Sequence, residues 1–312
     1  MAEKYSTRIA YGEALKELGD QNENVLVCDA DLAHATMTAT FADAHPDRFY
    51  NFGIAEANMM GASAALAHSG YTVFASTFAV FGTGRAFEQV RNAICYTKAN
   101  VKLGLSHSGP SAGEDGGSHQ AVEDISLMRT LPNMTVLVPC DAEEIRKAVF
   151  AAAEKDGPVF IRTGRVPTEI ITGKNTPFVI GKANVMRDGK DVALIACGIE
   201  VAQAIHAAEE LAAEGISARV IDMHTVKPLD KEAVLKAAAE CGAVVTAEEH
   251  SIIGGLGSAV AEVLADKQNV PFEMIGIKDH FGESGKPDEL YEKFGLTAKY
   301  IKEAARSVIS RK

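Results

Sequence analysis

Short apolar runs alternate along the chain with longer segments of helical periodicity. STRIAYGEALKELG, from Ser6, has helical spacing, and the VLVCDA that follows predicts a strand. The Ala- and Met-rich stretch predicts a helix over Ile54–His68, and YTVFAS predicts a strand. Then come a helix near Arg85–Tyr96, the strands VKLGLS and MTVLVP, a helix over Ala142–Glu154 and the strand VFIRT. Strands alternating with helices in this way predict a parallel sheet covered on both faces, with right-handed crossovers.

Between Pro167 and Lys190 the pattern weakens into PTEIITGKNTPFVIGKANVMRDGK, rich in Gly, Thr, Asn and Lys. This predicts a linker containing a short hairpin. Alternation resumes with the strand DVALIACG, a helix over Glu200–Glu214, the strand ARVIDM and a helix near Lys231–Glu240. The strand AVVTAEE, the turn GGLG, a helix to Asp266, the strand FEMIGI and a last helix near Ala298 complete the chain. The length of 312 residues suits about two domains of roughly 150 residues. The expected fold is α/β, with two domains that are each a mostly parallel sheet flanked by helices. The boundaries read as 1–170, a linker at 171–190, and a smaller domain at 191–312. No internal repeat or low-complexity tract interrupts them.

Composition narrows the class. Apolar residues at 47% and charged residues at 23% fit a soluble globular chain with a sizeable core. The net charge of −11 argues against nucleic-acid binding, which needs basic surface to replace phosphate counterions, and against an anionic membrane. A local basic pocket for a phosphorylated substrate stays open. The 5 cysteines are scattered in apolar runs with no CxxC pair, which suggests a reducing compartment. MAEKYSTR carries no apolar leader, and no run of about 18 apolar residues occurs, so the cytoplasm is the expected address and no membrane partner is expected.

Several chemistries lack their signature. No GxGxxG opens a helix after the first strand, and GxxxxGK[ST], HExxH, GxSxG and clustered Cys/His sets do not occur, so no metal ligand is assigned. The GGLG at 254–257 reads first as a tight turn before a helix. Nucleotide-fold architecture without a phosphate loop suggests that any phosphates are held by a partner.

Candidate chemistry lies in three runs. In NFGIAEANMMGASAALAHSG, Glu56 starts a helix whose neighbours are apolar or small. The plain reading is a first-turn Glu favoured by the helix dipole. The functional reading is a desolvated carboxyl that shares a proton with a heterocycle. In FASTFAVFGTGRAFEQVR, Phe78 and Phe81 could be core, or could form a slot for a flat ring, with Gly82 and Gly84 suggesting a bend with close backbone approach. The polar loop SHSGPSAGEDGGSHQAVED follows a strand, which places it at the carboxyl edge of the sheet, where ligands bind in such folds. Its His107, Asp115 and His119 could hydrogen-bond sugar hydroxyls, and Arg165, after VFIRT, could clamp a phosphate or merely sit on the surface.

GEDGGSHQAVEDISLMRTLPNMTVLVPCDAEE resembles the transketolase pattern in which GEDGxxHQ, LRxxPN and PxDxxE follow one another. GIAE is similar to the family's segment bearing the catalytic glutamate, STFAVF to its cofactor-ring segment, and FGESGKPDELYEKFGLT to its C-terminal signature. The resemblance runs from about Arg8 to the end and spans the pyrimidine-binding and C-terminal domains. The family's first domain, with its GDG…N motif, has no counterpart here, so the chain resembles the second subunit of split transketolases.

The resemblance implies a thiamine diphosphate enzyme that transfers a two-carbon ketol unit from a ketose phosphate to an aldose phosphate. It implies an N-terminal-half partner carrying GDG…N, which holds most of the diphosphate and magnesium, in an α2β2 assembly. Glu56 would hydrogen-bond the pyrimidine nitrogen, Phe78 and Phe81 would stack on the ring, and Asp31 would lie near the cofactor. His107 and Asp115 would read sugar hydroxyls, His119 would contact substrate and take part in proton transfer, and Arg8 and Arg165 would bind the sugar phosphate. Two positions depart from the pattern. Gly84 replaces a common tyrosine, and the nearest hydroxyl to the expected phosphate-binding serine is Thr36. Deoxyxylulose-phosphate synthases and β subunits of 2-oxo-acid dehydrogenases share the fold; the first favours GADG, and neither carries this full set of motifs. A non-catalytic, partner-binding relative is the reading least consistent with the intact Glu56 and His/Asp set.

Overall fold

A computed structural model describes residues 3–267 and 269–312; Met1, Ala2 and Gln268 lie outside the described residues. The strands are β1 (Lys4–Ser6), β2 (Val25–Asp29), β3 (Phe49–Asn51), β4 (Thr72–Phe78), β5 (Val101–Ser106), β6 (Thr135–Leu137) and β7 (Val159–Arg162). They continue as β8 (Pro167–Glu169), β9 (Asn184–Arg187), β10 (Val192–Ala196), β11 (Ala218–Asp222), β12 (Thr225–Lys227), β13 (Val244–Ser251) and β14 (Phe272–Ile277).

The first domain is a 7-stranded sheet of order β12-β6-β7-β5-β4-β2-β3, parallel except for β12. Its inner strands are buried on both faces, so successive residues feed different cores. Val25, Val27 and Phe74 pack with the Thr7–Gln21 and Ala142–Glu154 helices. Leu26, Cys28, Val73 and Ala75 pack on the other side with Met59 and Met60 of the Glu56–His68 helix. The second domain is a 5-stranded sheet, β14-β13-β10-β11-β9, parallel except for β9. Both domains are therefore mostly parallel sheets flanked by helices, as the alternation predicts.

Two expectations need correction. No hairpin forms between Pro167 and Lys190: β8 pairs antiparallel with β1, whereas β9 joins the second sheet beside β11. A run with two strand-like pieces reads locally as a hairpin, but each piece finds an open edge elsewhere. The helix expected near Arg85–Tyr96 starts earlier. It is π-wound over Val80–Arg85 and Val90–Tyr96 with a short α-helical piece between, and the Ala86 N–H donates to the Phe81 carbonyl at 3.1 Å. Widened turns of this kind recur at functional sites.

The domains interlock. The core beneath Met59 and Met60 is continuous with Ala193, Ile195 and Ile221 of the second sheet, and β12 crosses to pair with β6. Arg162, at the end of β7, donates to Asp124 at 2.8 Å and to the Glu249 carbonyl at 2.9 Å. Cys140 and Glu144 of the first domain meet Asp222 of the second, all buried. Burial pushes both carboxyls above their ordinary range, and neither oxygen of Asp222 meets a donor among the described residues. Two carboxyls this buried and this close do not both ionise in the ordinary carboxyl range. All 5 cysteines are free and buried. Among the described residues no helix is long and apolar enough to cross a membrane.

Candidate active site

In the first sheet the chain moves from β2 to β3 on one side and to β4 and β5 on the other. That reversal makes the carboxyl edge near β2 and β4 the natural ligand crevice of an open parallel sheet. Asp31 follows β2, Glu56 follows β3, Phe78 ends β4, His107 follows β5 and Arg165 follows β7, so each lies toward this same edge.

Glu56 is the first residue of its helix and is 3% exposed. Its Oε1 accepts from Arg85 Nη1 at 3.0 Å, and among the described residues no donor meets Oε2. The Arg85 guanidinium also lies over the Phe81 ring, 4.4 Å from its centre. Phe81 stacks with Phe78 at 5.9 Å, and Phe78 stacks with His107 at 3.8 Å. His119 meets both phenyl rings edge-on, at 5.4 and 6.1 Å. Gly82 packs so close to β5 that a Cβ would lie 2.7 Å from Leu105, which is the close approach expected there, within a π turn instead of a simple bend. A Cβ on Gly84 would meet nothing within 4 Å, so this position, the first departure from the expected pattern, is open space.

The loop after β5 is held by its neighbours. His107 adopts φ 59°, strained for a non-glycine residue, and its Nδ1 lies 3.0 Å from Ser106 Oγ. Burial, then the Arg8 and Arg165 charges, push its imidazole down to about 3, so it meets a ligand as a neutral ring. Arg165 Nη1 donates to the Ala112 carbonyl at 2.6 Å and to Glu114 at 3.1 Å, with Asp115 Oδ1 at 4.0 Å. Arg8 Nη1 donates to the Ala35 carbonyl at 2.7 Å, while its buried Nε has no partner among the described residues. Burial and the neighbouring Arg165 lower the Arg8 pKa. His107, Asp115, Arg8 and Arg165 thus form one cluster, which Phe78 joins to the ring slot.

The GEDGG loop and the FGESG segment, distant in sequence, are two sides of one contact. Gln120 Nε2 donates to the carbonyls of Gly113 and Glu283, both at 2.9 Å, and Ser284 Oγ donates to the Glu114 carbonyl at 2.7 Å. A Cβ on Gly117 would lie 2.4 Å from the Gly282 carbonyl oxygen.

Other expected positions turn inward or stay apart. The Thr36 hydroxyl donates to Asp29 at 2.8 Å and lies buried, so it is spent inside the protein. Asp31 is exposed, and its N–H donates to Asn51 Oδ1 at 3.1 Å. The turn GGLG does open a helix, but its N-terminal amides are already filled: Glu248 accepts from Leu256 at 2.7 Å and from Gly257 at 2.8 Å. A groove of about 740 Å³ between the domains, walled by Leu127, Arg129, Lys227 and Val263, contains none of the slot residues. A residue touching these candidates that the sequence reading missed is Arg85. Its signal was present, a cation four positions after Phe81 on a helical path, where side chains face each other.

A carboxyl with one open oxygen, beside stacked phenyl rings and open space at Gly84, fits a flat heteroaromatic ring bearing an acceptor nitrogen. Comparison with known proteins shows the family. The model of the transketolase pyrimidine-binding domain matches residues 3–168, and that of the transketolase C-terminal domain matches residues 181–301. The 6-deoxy-6-sulfo-D-fructose transketolase subunit SqwH of Clostridium sp. (strain MSTE9) is 45% identical over 99% of this chain and 96% of its own. The transketolase of Homo sapiens is 39% identical over 100% of this chain but only 50% of its own. A solved split gene transketolase, described as an inactive beta4 tetramer, is 51% identical with a TM-score of 0.92, and the match covers 98% of each chain. The chain belongs to the transketolase family, as a subunit built from the pyrimidine-binding and C-terminal domains.

Proposed function

We propose that this chain supplies the pyrimidine-binding wall of a thiamine diphosphate site and acts with an N-terminal-half partner that carries the GDG…N element for diphosphate and magnesium. The reaction is transfer of a two-carbon ketol unit from a ketose phosphate to an aldose phosphate. The observation that supports this most is Glu56, buried at a helix start beside Phe78 and Phe81, with one carboxylate oxygen unmet. When bound, the cofactor supplies the carbon nucleophile for cleavage next to a ketose carbonyl. Glu56 holds or shares a proton at the pyrimidine nitrogen, Phe78 and Phe81 fix the ring plane, and Asp31 lies on the cofactor side. His107, as a neutral imidazole, and Asp115 read sugar hydroxyls, and His119 moves a proton at the substrate.

Arg8 and Arg165 bind the anionic end of the sugar, and the unpartnered Nε of Arg8 is a donor in waiting. The Clostridium relative is named for a sulfo-sugar. A sulfonate offers the same kind of oxygen acceptors as a phosphate, so the arginine pair suits either. The diphosphate falls to the partner because the chain's own Gly-rich helix start is filled by Glu248. Exposed Ile54 and Tyr50, close in sequence to Glu56, suit a surface that a partner covers, and the assembly is α2β2. Buried free thiols suit the cytoplasm.

The test is to purify the chain alone and together with an N-terminal-half subunit bearing GDG…N. Ketol transfer and tight, magnesium-dependent cofactor binding should require both chains. Full activity or tight cofactor binding by the chain alone would overturn the proposal.

A further inference from the structure

We propose that Arg85 is the positioning residue of Glu56, holding one carboxylate oxygen so that the other faces the ring. The inference rests on the reading of Glu56 given above and extends it to a residue to which that reading assigned no role. An ion pair with a half-exposed arginine is ordinarily worth little. Here the other partner is 3% exposed, so without Arg85 the carboxylate would be buried with no donor among the described residues. Two constraints fix the guanidinium. It donates to Glu56 Oε1 at 3.0 Å, and it lies over Phe81 at 4.4 Å.

Phe81 is also a wall of the slot, so the same guanidinium ties the carboxylate to the ring platform. The π-wound turn over Val80–Arg85 places both residues on one widened loop of backbone, with the Ala86 N–H bonded to the Phe81 carbonyl. A carboxylate free to rotate would offer either oxygen at any angle. Anchoring Oε1 leaves Oε2 as the oxygen available to a ligand.

The experiment is a double-mutant cycle on the assembled complex, with thiamine diphosphate and magnesium as the probe. Affinity is measured by titration calorimetry alongside turnover, and assembly is checked for every variant. Arg85→Met should weaken cofactor binding about tenfold and lower kcat more than it changes the sugar KM. In a Glu56→Gln background the same substitution should change binding less than about twofold. Arg85→Lys, which keeps the charge but not the fork, should recover part of the loss. Equal effects of Arg85→Met in both backgrounds would overturn the positioning role while leaving Glu56 in place. If Glu56→Gln itself changed neither affinity nor turnover, the underlying reading would fall instead. Loss of assembly in Arg85→Met, with wild-type behaviour in Arg85→Lys and no coupling between the two positions in that background, would also overturn the inference.

Discussion

At Glu56, which is 3% exposed, one carboxylate oxygen accepts from a guanidinium and the other meets no donor among the described residues. The neighbouring residues divide, on the proposed reading, between ring and sugar. On the proposed reading, Asp115→Ala and His107→Ala should reduce the specificity constant for the sugar roughly ten- to a hundredfold, equivalent to about 1–3 kcal/mol for a lost hydrogen bond, while cofactor affinity changes little. Steady-state kinetics beside calorimetric cofactor titration checks this split. Since the His107 imidazole is held down at about 3, any pH dependence of the sugar KM between about pH 5 and 8 should not come from His107, and its shape should be the same in His107→Ala as in the unaltered complex. Arg165→Ala should mainly raise the KM of phosphorylated sugars. Equal damage with an unphosphorylated ketose would remove Arg165 as the anion clamp.

Elements carry the next level. Asp141 caps the Ala142–Glu154 helix by accepting from Glu144 N at 2.9 Å, and it also accepts from Ile171 N at 2.8 Å and Thr172 N at 2.6 Å. One carboxylate thus pins the chain leaving the first domain to a helix start. Asp141→Ala should cost about 2–4 kcal/mol, combining a lost cap with unsatisfied buried amides. A denaturant midpoint shifted by less than an equivalent of about 1 kcal/mol would argue that water replaces those bonds. The period of the apolar residues made most helices and strands legible, because the central strands β2, β4, β5, β7 and β10 are buried on both faces. Candidate site residues were legible where a polar group interrupts such a run: Glu56 among Met and Ala, and His107 after VKLGLS. Pairing by long-range edges was not legible, which is why β8 and β9 looked like a hairpin. Arg85 was hidden because its meaning depends on where Glu56 lies, 29 residues earlier in the chain.

At the scale of the whole molecule, two domains share a continuous core, a crossing strand and a carboxyl pair. Burial raises Glu144 and Asp222 above their unfolded values, so the folded state holds protons that the unfolded chain releases. The pair's stability is therefore complete below the ordinary carboxyl range and is lost as pH rises toward the raised values. Asp222→Asn supplies a permanent donor to Glu144, so it should flatten this dependence. It should raise the melting temperature at pH 8 by about 2–4 °C per kcal/mol gained, with less gain at pH 5. A uniform loss at both pH values would show that the pair holds no such proton.

On the proposed reading, proton transfer at the cofactor depends on Glu56. Glu56→Gln keeps the shape but cannot share that proton. The most direct measurement is hydrogen–deuterium exchange at the thiazolium carbon of thiamine diphosphate bound to the complex of this chain with its N-terminal-half partner. The variant should assemble and admit the cofactor, yet exchange should slow by several powers of ten, about 4 kcal/mol or more of barrier. Exchange as fast in Glu56→Gln as in the unaltered complex would contradict the account and leave Glu56 as a helix-start residue paired with Arg85.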